Sequence, residues 1–266
     1  MLAAAFGLAR WTESDWPDSF SASQFITVGL CTLFAAILAV PRTCLAGRAV
    51  NSSFSPKISA VSIAAAHFAG ALALPVVGNL LAHVGVLRTA GIPTLKAGSI
   101  FMIVRLISAL TVCIAATIGG FYLVGPQTSL VWPAAIAVAV LICATLTFLF
   151  RKHVATVEIK PLIQVLALTL FIQSLMFIAW LVLILPSAQG LLSAVLAAVA
   201  ITMFAGSVPL GFAGFGPREL GAVAAFNLIG IDGGNALAAS LIIGSFALAS
   251  TTAVGLWGLW GSQKKI

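Results

Sequence analysis

The stretch VPLGFAGFGPRELGAVAAFN, residues Val208–Asn227, decides how the rest of this chain is read. Gly211, Gly214, Gly216 and Pro217 break a hydrophobic run, and Arg218 and Glu219 follow the break directly. Long apolar segments lie on both sides, so two charges stand where charge is costly. Ionisable residues in such surroundings pair with each other, face a cavity or touch a polar ligand. Pro217 suits the first turn of a helix, and Glu219 in that turn complements the positive end of the helix dipole. The pair reads either as a plain helix start or as part of a binding site, and the cost of charge at depth favours the second.

Outward from this stretch, composition sets the class. Hydrophobic residues make up 61% of the 266 residues and charged ones 7%, with a mean hydropathy of +1.18. A soluble domain carries roughly 25% charged residues. Apolar runs of the ~20 residues that a helix needs to cross the hydrocarbon core recur along the chain. Strand-like alternation is absent, which disfavours an outer-membrane barrel. The expected fold class is therefore all-α, a polytopic helical membrane protein with about seven spans and two broken or re-entrant segments.

The formal net charge is +7. The basic residues sit mostly in short loops between apolar runs, as in cytoplasmic loops under the positive-inside rule, and form no nucleic-acid patch. Cys31, Cys44, Cys113 and Cys143 are scattered without CxxC spacing and read as packing residues, not as disulfides or metal ligands.

In chain order, residues 1–22 read as an interfacial N-terminal segment, and residues 23–266 as a single transmembrane domain. The expected spans are Gln24–Val40, ended by Pro41-Arg42, then Ser59–Leu80, Ser99–Val124, Leu130–Phe150, Leu162–Leu185, Leu191–Val208 and Ala236–Trp260. Asn79–Gly98 is too polar and too broken for an ordinary span. With both basic loops and the Lys264-Lys265 tail inside, Ser59–Gly98 must begin and end on the cytoplasmic side, whereas residues 209–234 must cross. The two breaks occupy corresponding places in the two halves, each with an arginine, Arg88 and Arg218. Paired interrupted segments of this kind mark binding sites between repeats in many transporters.

The run Pro209-Leu210-Gly211-Phe212-Ala213-Gly214-Phe215-Gly216-Pro217-Arg218-Glu219 resembles the Pro-x-x-x-Gly-Gly-x-Gly-x-Arg-Glu signature of the flippase-like transmembrane domain of bacterial lysylphosphatidylglycerol synthetases. Asn79–Arg88, followed by Leu95–Leu110 with its Arg105, is similar to that family's first broken segment. The chain departs from the pattern where no acid precedes Arg88, where Val104 replaces a Glu, and where Ala213 replaces a glycine. The resemblance runs from about Gln24 to the C-terminus and covers only the membrane part of the fused synthetases.

The resemblance implies a multi-pass protein of the bacterial cytoplasmic (inner) membrane that translocates or positions an anionic lipid or lipid-linked intermediate. It would not be an enzyme, and would need no cofactor and no metal. Arg88, Arg105 and Arg218 would bind the head group, because a guanidinium fork matches phosphate oxygens. Glu219 would pair with Arg218 or couple to movement, and Gly211, Gly214, Gly216 and Pro217 would supply the broken-helix backbone. The partner is then a membrane lipid or a polyprenyl-phosphate-linked intermediate, with a membrane enzyme or a second copy of the chain as further partners. The alternative is a non-transporting accessory or scaffold for a lipid-dependent glycosyltransferase, in which Arg218 and Glu219 hold the fold together. His67 and His83 read as hydrogen-bonded packing residues ahead of proton carriers. Asn79, Ser207 and Asn227 either line a polar path or bridge helices.

Overall fold

The structure is a computed structural model that describes residues 20–72, 75–124, 158–188, 191–207 and 216–260. All regular elements among these residues are helical: α1 Ala22–Ala49, α2 Pro56–Leu72, α3 Pro75–Thr89, α4 Thr94–Val124, α5 Ile159–Ile184, α6 Leu192–Ser207, α7 Pro217–Asn227 and α8 Gly233–Trp260. Short polar signals set several of the ends. Ser21 and Gln24 form a reciprocal capping box at α1. Asp232 Oδ2 accepts from the Asn235 amide at the start of α8; of the two residues in this turn able to cap the helix by type, Asp232 and Asn235, Asp232 does so.

Four stretches are long and apolar enough to cross a membrane: Ala22–Ala49, Thr94–Leu123, Ile159–Ser187 and Gly233–Trp260. Their outward faces are apolar. On α1, Ile26, Leu30, Phe34 and Ile37 are exposed in one stripe, while Val28, Cys31, Ala35, Ala36, Ala39 and Val40 are buried. An exposed stripe of large apolar side chains suits lipid and is a liability in water. The remaining helices are shorter, with 17, 15, 16 and 11 residues in α2, α3, α6 and α7. At 1.5 Å per residue they reach about 25, 22, 24 and 16 Å, less than the ~30 Å of a hydrocarbon core. Seven full crossings are therefore not what the described residues show. The expected span Leu130–Phe150 lies outside them, as do residues 1–19 of the expected N-terminal segment and Cys143.

Among the described residues the helix order is long, short, short, long, and then the same again. α2 and α3 pack on each other as one hairpin, and α6 and α7 as another. Contacts fix their directions. Gln24 Nε2 donates to the Val182 carbonyl, and the Glu158 amide donates to the Ala49 carbonyl, so α5 runs antiparallel to α1. Ala46 and Val50 cluster with Leu87, Ile92, Ala97, Ile100 and Val165, which puts the start of α4 and the start of α5 together at the Ala49 end. Leu123, near the other end of α4, packs against the cluster that holds Val28 and Ala188. Gly29 faces Phe246, and Thr32 bonds Ser250, so α8 runs parallel to α1. The α2–α3 hairpin therefore enters from the Ala49 end and the α6–α7 hairpin from the Ser21 end.

The second half repeats the first upside down. The packing follows the same rule, since α4 lies on α6, α8 lies on α2, and α1 and α5 pair in the middle. Close approach is bought by small residues. A Cβ on Gly119 would meet the Ala197 backbone at 2.9 Å, and one on Gly255 would collide with Ala64. Arg48, Lys57, Arg88, Lys96 and Lys160 all lie at the Ala49 end.

One boundary differs from the sequence reading in a way that matters for the site. Pro41-Arg42 does not end the first span: α1 continues through Pro41 to Ala49. Proline costs one ladder hydrogen bond, here the one to the Ile37 carbonyl, and membrane helices tolerate such a loss. Beside it the Ser59 hydroxyl donates to the Val40 carbonyl, and the Thr43 hydroxyl to the Ala39 carbonyl. Arg42 is thereby a helix residue and not a loop residue.

Candidate functional site

Arg218 and Glu219 open α7, the helix that returns from the tip of the second hairpin. Gly216 precedes it with φ +147°, a backbone region that only glycine occupies without strain. Pro217 fills the first helical position. The Gly216 amide donates to Glu219 Oε2 at 2.8 Å, closing the helix start through the Glu219 side chain. Arg218 donates to Glu219 Oε1 from Nε at 2.9 Å and from Nη2 at 2.6 Å. Ser240 on α8 completes the centre: its hydroxyl accepts from Arg218 Nε at 3.0 Å and donates to Glu219 Oε1 at 3.1 Å. Glu219 is 2% exposed, and the Arg218 side chain 29%.

Glycines make room for this pair. A Cβ on Gly244 of α8 would collide with the Arg218 guanidinium, and one on Gly206 of α6 would press on its stem at 3.2 Å. Gly221 of α7 faces Ala205 of α6 in the same way. The ion pair is therefore a satisfied, three-helix junction. In sequence, Gly244 belongs to a small-residue face that reads as helix packing. Its structural use is more specific, and Ser240 carried no signal at all, because a lone serine in an apolar helix commonly bonds only to its own backbone.

The first half holds a second polar centre with a different balance. Arg42 of α1 donates from Nη1 to Ser108 Oγ on α4 at 3.3 Å, and Gln173 of α5 donates to the Ser108 carbonyl at 3.0 Å. Arg105 of α4 stands over the Phe101 ring at 5.6 Å, and the His83 ring of α3 lies 5.7 Å from the same Phe101 ring. Arg105 and His83 thus share Phe101, and Arg42 meets α4 at Ser108, about one turn along from Arg105. His67 on α2 bonds the Ile63 carbonyl through Nδ1 at 3.0 Å. Arg42 Nε, His83 Nε2 and Asn79 Oδ1 are buried without a hydrogen-bond partner. Asn79 sits against Gly70 at the hairpin contact, where a Cβ on Gly70 would collide with its amide.

The sequence reading grouped Arg88, Arg105 and Arg218 as one basic pocket. Arg218 meets α6 and α8 through Gly206, Ser240 and Gly244, and Arg105 stands over Phe101 of its own helix α4. Arg88 is exposed in the last turn of α3, at the mouth of its hairpin, where it meets the negative end of the helix dipole. No described hydrogen bond or ion pair joins the three. Arg88 and Arg218 are also not equivalent positions, since one closes a hairpin and the other opens its return helix. Gly211 and Gly214 lie outside the described residues, whereas Gly216 and Pro217 shape the α7 start. Ser207 bonds back to Phe204 on its own helix. Among the described residues no group of His, Cys, Asp and Glu is arranged to hold a metal ion.

The residue that sequence reasoning missed is Arg42. Its signal was present, because the apolar run does not stop at Pro41 but continues through Leu45 and Ala46. No protein-family model, curated protein or solved structure matches this chain.

Proposed function

We propose that this protein translocates or positions an anionic lipid, or a lipid-linked intermediate, across the bacterial cytoplasmic membrane, as a multi-pass protein of seven or so crossings and half-crossings. One observation carries the reading: two hairpins, each too short to cross, enter the helix bundle from opposite ends in an inverted repeat. Discontinuous helices related in this way place polar groups and helix ends at mid-depth, where alternating access needs them. The clustering of Arg48, Lys57, Arg88, Lys96 and Lys160 at the Ala49 end supports assigning that end to the cytoplasm.

A second reading rests on a specific observation too. Both oxygens of the buried Glu219 carboxylate are bonded within the fold, by Gly216, Arg218 and Ser240, as expected if the protein is a scaffold for a membrane glycosyltransferase and the pair is structural. Purified protein in liposomes separates the readings. Movement of fluorescent phosphatidylglycerol between leaflets, faster than in protein-free liposomes and lost in Arg218→Ala with the fold retained, is the expected result. No movement of any lipid in a panel of anionic and zwitterionic head groups, from folded protein, refutes translocation and favours the scaffold.

A further inference from the structure

No Asp or Glu occurs anywhere between Asp18 and Glu158. All of α1 to α4 lies in that interval, and so do Arg42 and Arg105. The three described carboxylates are engaged elsewhere: Glu158 precedes α5 at the surface, Glu219 pairs with Arg218, and Asp232 caps α8. The two halves of the inverted repeat thus differ in one chemical respect. Among the described residues, the second half neutralises its inner guanidinium with a carboxylate, and the first half carries two guanidiniums and two imidazoles on its four helices without one.

The helices carrying these groups form a closed ring, with α1 on α2, α2 on α3, α3 on α4, and α4 back on α1. Each contributes one member: Arg42, His67, His83 and Arg105. At 1.5 Å per residue they lie about 9–17 Å in from the Ala49 end, beneath the exposed Arg88 and the half-buried Lys96. Unneutralised charge at such depth is expensive, and like charges add to the cost. Donors are left over for an incoming group, since Arg42 Nε and His83 Nε2 are buried and unbonded, while Arg105 and His67 retain accessible surface.

We propose that the α1–α4 ring is a binding site for a phosphate anion, entered from the Ala49 end and formed by Arg42, Arg105, His67 and His83. The phosphate oxygens replace the missing carboxylate, with Arg105 offering a guanidinium fork and Arg42 its Nε–H. The basic residues at the mouth raise the local anion concentration. The ligand chemistry is that of a phosphate group, carried either on a lipid head group or free in the cytoplasm. The site does not depend on lipid movement, since a scaffold could hold the same ligand.

The test uses the full chain purified in a neutral detergent and two probes, inorganic phosphate and dioctanoyl phosphatidylglycerol, with dioctanoylglycerol as the phosphate-free control. Thermal unfolding is followed for wild type, Arg105→Gln, Arg105→Lys, Arg42→Gln and Arg88→Gln. A phosphate-bearing probe should raise the wild-type Tm, and dioctanoylglycerol should not. Arg105→Gln and Arg42→Gln should each weaken the apparent affinity about tenfold or more, and Arg88→Gln should change it by less than about threefold. Without probe, Arg105→Gln should raise the Tm, because it removes an uncompensated charge. A merely structural arginine would lower it. Arg105→Lys keeps the charge but not the fork, and should bind with intermediate strength even if the glutamine variant fails to fold. Stabilisation by inorganic phosphate assigns a free anion, and stabilisation by the lipid alone assigns a head group. Stabilisation by neither probe, or a probe response unchanged in both Arg105 variants, overturns the site.

Discussion

Glu219→Ala tests whether the Arg218 centre is structural. The carboxylate is 2% exposed and accepts from four donors: the Gly216 amide, Arg218 Nε, Arg218 Nη2 and the Ser240 hydroxyl. Its removal leaves the Arg218 guanidinium against Gly244 with Ser240 as its remaining partner. Breaking a buried pair by deleting one member costs about 3–5 kcal/mol, because the other charge stays behind uncompensated. Arg218 keeps some exposure, which places the expected loss near 3 kcal/mol. Deleting both charges should then cost less than the sum of the single changes, since the double variant buries neither charge alone. Reversible unfolding in mixed micelles, followed by helical circular dichroism against the fraction of denaturing detergent, measures all three variants and closes the double-mutant cycle. A loss under about 1 kcal/mol for Glu219→Ala, or strict additivity in the cycle, would refute the junction as described.

Two further outcomes follow from local geometry. Gly216→Ala forces a Cβ onto a backbone at φ +147° and should cost about 1–3 kcal/mol in the same unfolding assay, with a loss of α7 order readable as faster amide exchange. Thr32→Val removes the 3.1 Å bond between Thr32 and Ser250, which ties α1 to α8. Membrane hydrogen bonds average about 0.6 kcal/mol, so the change should stay near that value, and a loss above about 2 kcal/mol would show that this contact carries more than one hydrogen bond.

What the sequence determined by itself is the material of the fold. The long apolar runs, the few charges and the absence of alternation dictated a helical bundle suited to lipid. Glycine and proline marked where helices break. Arg218 beside Glu219 read either as a helix start that pairs internally or, in preference, as part of a binding site, and the fold shows the internal pair. The turn at Ile231–Asn235 offered Asp232 or Asn235 as a cap, and Asp232 is the one used. The tertiary structure decided which breaks belong together and which way they face. Inversion of the second half is a property of packing, of α4 on α6 and α8 on α2, and leaves little trace in the residue order. Packing also carried α1 through Pro41, with Ser59 and Thr43 bonding the carbonyls just before it, and so turned Arg42 from a loop residue into an inner one. It set Arg88 at the mouth of its hairpin and Arg218 against α6 and α8, and placed Arg42, Arg105, His67 and His83 on four helices that meet. Charge in a chain is legible one residue at a time, whereas its neutralisation depends on which helices meet, and only the packed bundle fixes that.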